Sequence, residues 1–160
     1  MLTQAQVKEL FHYDPDTGNL VWRVDRGTRK VVGKIAGCLK IRGYFVIKID
    51  GKDYQAHRLI WLYVHGAWPI NQIDHVNGVK HDNRIFNLRE ATGSQNQQNR
   101  RKPSSNNASG YLGVTENKGK WVAVIKLSGK NRHIGRYDTP EAAHAAYLAK
   151  KRELHPYGTL

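Results

Sequence analysis

The chain has 160 residues, with 26 Lys and Arg against 13 Asp and Glu, a formal net charge of +13 and a pI near 10.0. That length holds one ordinary domain or two small ones, and the charge calls for a polyanion, nucleic acid ahead of an anionic membrane. The single cysteine, Cys38, excludes an internal disulfide framework and any multi-thiolate zinc or iron–sulfur site within one chain. No apolar run approaches the ~20 residues that span a bilayer. Met1 to Phe11 lacks a signal-peptide pattern, and no basic amphipathic helix of useful length appears. An intracellular, reducing setting without a membrane partner is expected. The charge is uneven: residues 1–96 hold 14 Lys and Arg against 9 Asp and Glu, and residues 97–160 hold 12 against 4.

In chain order, Thr3 and Gln6 fit a capping box for a helix from Gln4 to His12, with Val7, Leu10 and Phe11 on one face. Asp14 to Gly18 is a turn cluster, and Leu20 to Arg23 reads as a strand. A basic loop carries Arg26, Arg29, Lys30 and Lys34. Tyr44 to Ile49 and Lys52 to Gln55 form a hairpin about Asp50-Gly51. His57 to His65 is a helix closed by Gly66, and His57 is assigned a packing role at its start. Gln72 to Val76 and Asn87 to Ala91 read as short paired strands. Thr92 and Gln95 form a second capping box for a helix to about Asn99. Cys38 is expected as a small core residue.

Residues 103–109 have the composition of a linker, polar and without apolar anchors. Beyond them, Tyr111 to Glu116, Trp121 to Leu127 and Arg132 to Tyr137 read as three antiparallel strands. Thr139-Pro140 opens an Ala-rich helix with proline at its first position. Period-2 alternation puts Trp121, Ala123, Ile125 and Leu127 on the face that packs on that helix. Val122, Val124 and Lys126 take the other face, expected open and suited to a DNA groove.

The chemical focus is Asp74-His75. The carboxylate is a hard oxygen ligand suited to Mg²⁺, and the imidazole is a base for neutral pH. Asn96, on the following helix, offers an amide oxygen. Adjacency of Asp and His is common and carries little weight alone, since a surface turn is its ordinary explanation.

The wider string is more specific. Asp74-His75-Val76-Asn77-Gly78, Asp82-Asn83, Asn87-Leu88-Arg89, Thr92, Asn96 and Asn99-Arg100 together resemble the HNH endonucleases of phages and mobile introns. So do the opening Leu10-Phe11-x-Tyr13-Asp14-Pro15-x-Thr17-Gly18 and His57-Arg58-Leu59. The resemblance covers roughly residues 8–102. It implies Asp74 and Asn96 as metal ligands, His75 as the base that activates water, and Asn87 as the residue that holds strand and loop. Many members carry His where Asn96 stands; asparagine there favours Mg²⁺ or Mn²⁺ over Zn²⁺. It also implies phosphodiester hydrolysis to 5′-phosphate and 3′-hydroxyl ends.

The C-terminal part resembles an AP2 DNA-binding domain. The resemblance rests on Gly110-Tyr111-x-Gly113-Val114, Gly119-Lys120-Trp121-Val122-Ala123 and Ile134-Gly135-Arg136-Tyr137-Asp138-Thr139-Pro140-Glu141-Ala142. It implies a three-stranded sheet laid in the major groove and backed by a helix. Candidate DNA contacts are Arg100, Arg101 and Lys102 before the sheet, and Thr115, Asn117, Lys118, Lys120, Lys126, His133 and Arg136 on or beside it. Few of these keep the identity found in plant members, so no target sequence carries over.

The expected fold is α+β. A ββα-metal (His-Me finger) nuclease domain occupies residues 1–102, its core at about 71–100. Residues 103–109 are the linker, and an AP2-like domain follows at 110–160. The expected function is a metal-dependent, homing-type DNA endonuclease acting on double-stranded DNA as monomer or homodimer. Its setting would be the cytoplasm of a bacterial host, encoded by a phage or mobile element. The alternative is a DNA-binding transcriptional regulator with a degenerate HNH motif. An RNA target is disfavoured, because an A-form major groove is too narrow for a sheet.

Overall fold

The computed structural model describes residues 1–159. The chain divides into two compact units, Met1–Ala91 and a second that begins at Thr92. The first opens with helix α1 (Gln4–Leu10), whose capping box joins Thr3 and Gln6 reciprocally. The helix stops at Leu10, short of the expected His12. Phe11 and Tyr13 are buried while His12 between them is exposed, a strand alternation rather than a helical stripe. Strand β1 (Phe11–Asp14) pairs with β2 (Asn19–Trp22), with Phe11 opposite Trp22. The Asp14 carboxylate accepts from the amides of Asp16 and Thr17 and from the Thr17 hydroxyl, which closes the turn.

A short strand β3 (Cys38–Leu39) pairs with β4 (Phe45–Ile49), and β4 with β5 (Lys52–Gln55). Strand β3 has no counterpart in the sequence pattern. Its two residues form a sheet edge, so Cys38 is exposed rather than in the core. Helix α2 (Ala56–His65) follows at once and ends at Gly66 in the left-handed conformation. Val7, Phe11, Leu20, Trp22, Ile47, Leu59 and Ile60 join one apolar core between α1, α2 and the sheets. Strand β6 (Gln72–His75) pairs antiparallel with β7 (Leu88–Ala91), and a 3₁₀ turn at Ile85–Asn87 leads into β7.

In the second unit, helix α3 (Gly93–Gln98) carries the capping box of Thr92 and Gln95. Strands β8 (Val114–Asn117), β9 (Lys120–Leu127) and β10 (Lys130–Tyr137) form an antiparallel sheet with β9 in the centre. Helix α4 (Pro140–Leu154) has Thr139 as its cap and proline in its first turn. Ala123 and Ile125 of β9 pack with Ala143 and Tyr147 of α4, flanked by Trp121 and Leu127, so the expected inner face is the one used.

Helix α3 is tied to the far end of this unit. The Lys151 ammonium donates to the Arg100 carbonyl at 2.6 Å, the Tyr157 amide to Gln98 Oε1 at 3.3 Å, and the Thr159 hydroxyl to Asn99 Oδ1 at 2.7 Å. Lys151 is buried, and loss of solvation pulls its amine down to about 8.

Candidate active site

Asp74 and His75 occupy the end of β6, where the β6–β7 ladder delivers them to the loop at residues 76–87. Both are buried. Asp74 stands opposite Arg89 in the ladder. The guanidinium donates twice to Asp74 Oδ2, from Nε at 2.9 Å and Nη2 at 2.7 Å. A carboxylate with only 7% of its side chain exposed needs such a partner, because an unpaired buried charge costs several kcal/mol. Arg89 is in the Asn-Leu-Arg string, yet spacing alone says nothing of its partner.

His75 Nε2 lies 3.0 Å from Asn83 Oδ1. An amide oxygen is only an acceptor, so the neutral ring carries its proton on Nε2 and its lone pair on Nδ1. Burial pushes the imidazole below its ordinary value; the Asn83 contact and the Asp74 charge oppose this and are smaller. The ring is therefore neutral at pH 7, the form a general base requires.

Asn87 is buried and spans the loop. Its Nδ2 donates to the Asp82 carbonyl at 2.7 Å, and its Oδ1 accepts from the Asn77 amide at 2.9 Å. Asp82 takes two bonds from the Arg84 guanidinium, at 2.7 and 2.6 Å, one from the Arg84 amide at 3.4 Å and one from Asn77 at 2.7 Å. Those donors hold its carboxyl at about 2. The loop is thus closed on itself before any ligand arrives.

The N-terminal hairpin braces the same loop. Tyr13 Oη accepts from the Ile85 amide at 2.9 Å and donates to the Asn83 carbonyl at 3.4 Å. Gly18, at φ +74°, sits so close that a Cβ there would lie 2.4 Å from Arg84 N and 2.6 Å from the Asn83 carbonyl carbon.

Two further aromatic groups meet His75. The His57 ring lies edge-on to it with centroids 5.1 Å apart, and the Tyr44 ring lies 6.0 Å from His75 and 5.3 Å from His57. His57 does pack at the start of α2, and its contact is His75 itself. It is buried, and its Nδ1 has no hydrogen-bond partner. Desolvation, with smaller contributions from His75 and Arg58, drives it down to about 3. Nothing in the sequence pairs residues 44, 57 and 75. His81 is an exposed loop residue.

Asn96, the other ligand implied by the sequence, lies on α3 in the second unit, where it is half-buried. Among the described residues no three His, Cys, Asp or Glu side chains cluster in a way that could hold a metal. The Asp74 carboxylate is a hard oxygen donor, and Cys38, the single thiol, is an exposed residue of β3. A carboxylate oxygen of this kind is able to contribute to a divalent-metal site.

The candidate DNA contacts fall into two groups. Cross-strand partners share a sheet face, and β9 alternates between its α4 side and the opposite side. Thr115 and Arg136 pair with Val122, His133 with Val124, and Asn117 with Lys120. Thr115, Asn117, Lys120, Lys126, His133 and Arg136 therefore share the face away from α4. Asn131, opposite Lys126, joins them and was missed from the sequence. This face is less open than expected: Val122 is buried, because it sits on the central strand with neighbours on both sides. Lys120 pairs with Asp138, and Arg136 Nη2 donates to the Asn117 carbonyl at 3.2 Å. Lys118 sits in the β8–β9 turn with positive φ. Arg100, Arg101 and Lys102 follow α3, with Arg101 bonded to Thr159 and Arg100 Nε to the Lys102 carbonyl at 3.1 Å.

Residues 54–98 match the family model for HNH endonucleases. The match takes in His57, Asp74, His75, Asn87 and Asn96. No curated protein and no solved structure matches the chain.

Proposed function

We propose that this protein is a metal-dependent DNA endonuclease that hydrolyses a phosphodiester with water activated by His75. The observation that carries the reading is the pair Asp74-His75 within a family-matched segment: a buried carboxylate fixed by Arg89 beside a neutral imidazole with its proton fixed by Asn83. His75 Nδ1 takes the proton from the attacking water. Asn83 holds the ring's other nitrogen, so the base keeps one tautomer and one orientation. Arg89 holds Asp74 Oδ2 and so orients the carboxylate. Asn87 fixes the loop that joins the two strands.

Asp74 and Asn96 would hold the ion; the family match runs through residue 98 and so includes both. A bound Mg²⁺ or Mn²⁺ supplies charge neutralisation at the phosphate and the leaving 3′ oxygen. In the same reading, residues 1–102 form the nuclease part and residues 110–160 an AP2-type reader. The exposed polar face of β8–β10 lies in the major groove, and Arg100, Arg101 and Lys102 touch phosphates. A homing-type role, a phage or mobile-element source, action in the bacterial cytoplasm and work as monomer or homodimer complete the proposal.

Supercoiled plasmid tests it. Mg²⁺-dependent nicking is expected, absent in EDTA. His75→Ala should lower it by at least about a hundredfold while plasmid binding in a gel shift is retained. Asn96→Ala should raise the Mg²⁺ concentration needed for half-maximal nicking. Binding without nicking under any divalent metal would favour a DNA-binding regulator instead.

A further inference from the structure

The tip of the β3–β4 hairpin is built to hold one apolar side chain outward. The Lys40 amide donates to the Tyr44 carbonyl at 2.9 Å and the Gly43 amide to the Lys40 carbonyl at 2.7 Å. Gly43 takes φ +84°, the left-handed residue that such a tight hairpin needs. Ile41, between them, is 106% exposed. A lone exposed isoleucine is ordinary on a protein surface, but this one has a particular setting. It is flanked by Lys40 and Arg42, both exposed.

The tip is also fastened to the loop that follows His75. Lys80 Nζ donates to the Arg42 carbonyl at 3.1 Å and lies 5.0 Å from the centre of the Tyr44 ring. That ring is the one beside His75. Under the tip lies a depression of about 300 Å³, lined by Lys40, Ile41, Arg42, Tyr44, Val46 and Gln55.

From this we infer that Ile41 is a wedge: it enters the minor groove of duplex DNA and unstacks one base step, while Lys40 and Arg42 hold the flanking phosphates. The inference rests on the DNA endonuclease reading and adds how the substrate is deformed. A minor groove ~6 Å wide admits a side chain but not a hairpin, so the backbone stays outside and the isoleucine alone goes in. An apolar partner protein would meet two cations beside the isoleucine, whereas DNA offers anions at the rim and apolar base faces within. Apolar wedges of this kind kink the duplex toward the major groove. Here the kink would fall beside His75, because Tyr44 and Lys80 join tip to base.

Plasmid topology tests this without a known target site. Relaxed closed-circular plasmid is incubated in EDTA with a metal-independent topoisomerase and the full-length protein, then the topoisomers are resolved. Unstacking unwinds DNA, so wild-type protein and Ile41→Leu should shift the topoisomer distribution. Ile41→Ser should abolish the shift, with plasmid affinity changed by less than about threefold because the cations remain. In Mg²⁺, Ile41→Ser should nick about tenfold more slowly. A wild-type shift retained in Ile41→Ser overturns the wedge. So does nicking by wild type with no topoisomer shift, which leaves the endonuclease reading standing. Failure of wild type to bind plasmid overturns both.

Discussion

His57 is held far below its ordinary value by burial. It is buried, neutral, and short of one hydrogen bond. Held at about 3 in the fold against ~6.5 in the unfolded chain, it binds its proton more readily once unfolded. The unfolded state therefore gains protons first as pH falls, and stability drops between those two values. Full stability is kept above about pH 6.5, and about 2 kcal/mol should be lost by pH 5 through His57 alone. His75, also lowered by burial, adds in the same direction. Urea midpoints at pH 7.5 and pH 5 measure the loss. His57→Phe keeps a ring against His75 and should remove the His57 share, leaving the smaller slope of His75.

The β1–β2 hairpin is the element that most directly sets the site without touching its chemistry. Its turn residue Gly18 lies against the backbone of Asn83 and Arg84, and Asn83 holds the His75 ring. Gly18→Ala adds a methyl group where backbone atoms stand and forces a non-glycine residue to positive φ. A loss of roughly 1–3 kcal/mol is expected, read as a lowered thermal or urea midpoint. Under the proposed function, nicking should fall further than the unfolded fraction explains, because a shifted loop would move Asn83 and with it the His75 ring. A drop in midpoint with an unchanged rate on the folded fraction would show that the hairpin bears on stability alone.

For the whole molecule the issue is how the +13 charge is used. Much of the surplus lies after residue 96, and part of it is on the sheet face opposite α4. Each lysine or arginine that touches a phosphate adds about one to the slope of log affinity against log salt. Lys126→Ala with Arg136→Ala should therefore lower that slope by about two for duplex DNA in EDTA. Arg152→Ala, an exposed position on α4, should leave it unchanged. Equal effects from the two variants would mean that charge acts diffusely and the sheet face has no special place.

Local signals were legible wherever partners are close in sequence. Both capping boxes, the Asp50-Gly51 hairpin, the α4 start at Thr139-Pro140 and the inner face of β9 follow from spacings of two to four residues. The Asp74-His75 pair carries little weight by its spacing alone; it and Asn87 stand out because they fall in the longer string that resembles the HNH endonucleases. What failed was also local in cause: Phe11 and His12 read as the end of the first helix until Asn19–Trp22 is there to pair with them, and Cys38 reads as core until β3 proves to be an edge.

Chain order and composition thus determined the positive charge, the local elements and a string that matches the HNH endonuclease family model, with Asp74 and His75 inside it. Only tertiary structure decided what surrounds them. Arg89 reaches Asp74 across 15 residues and Tyr13 reaches Ile85 across 72; Tyr44 and His57 meet His75, and Lys151 ties the end of α3 to α4. Contacts over such separations leave no periodicity in a sequence, because they depend on how whole elements pack and not on any repeat along the chain.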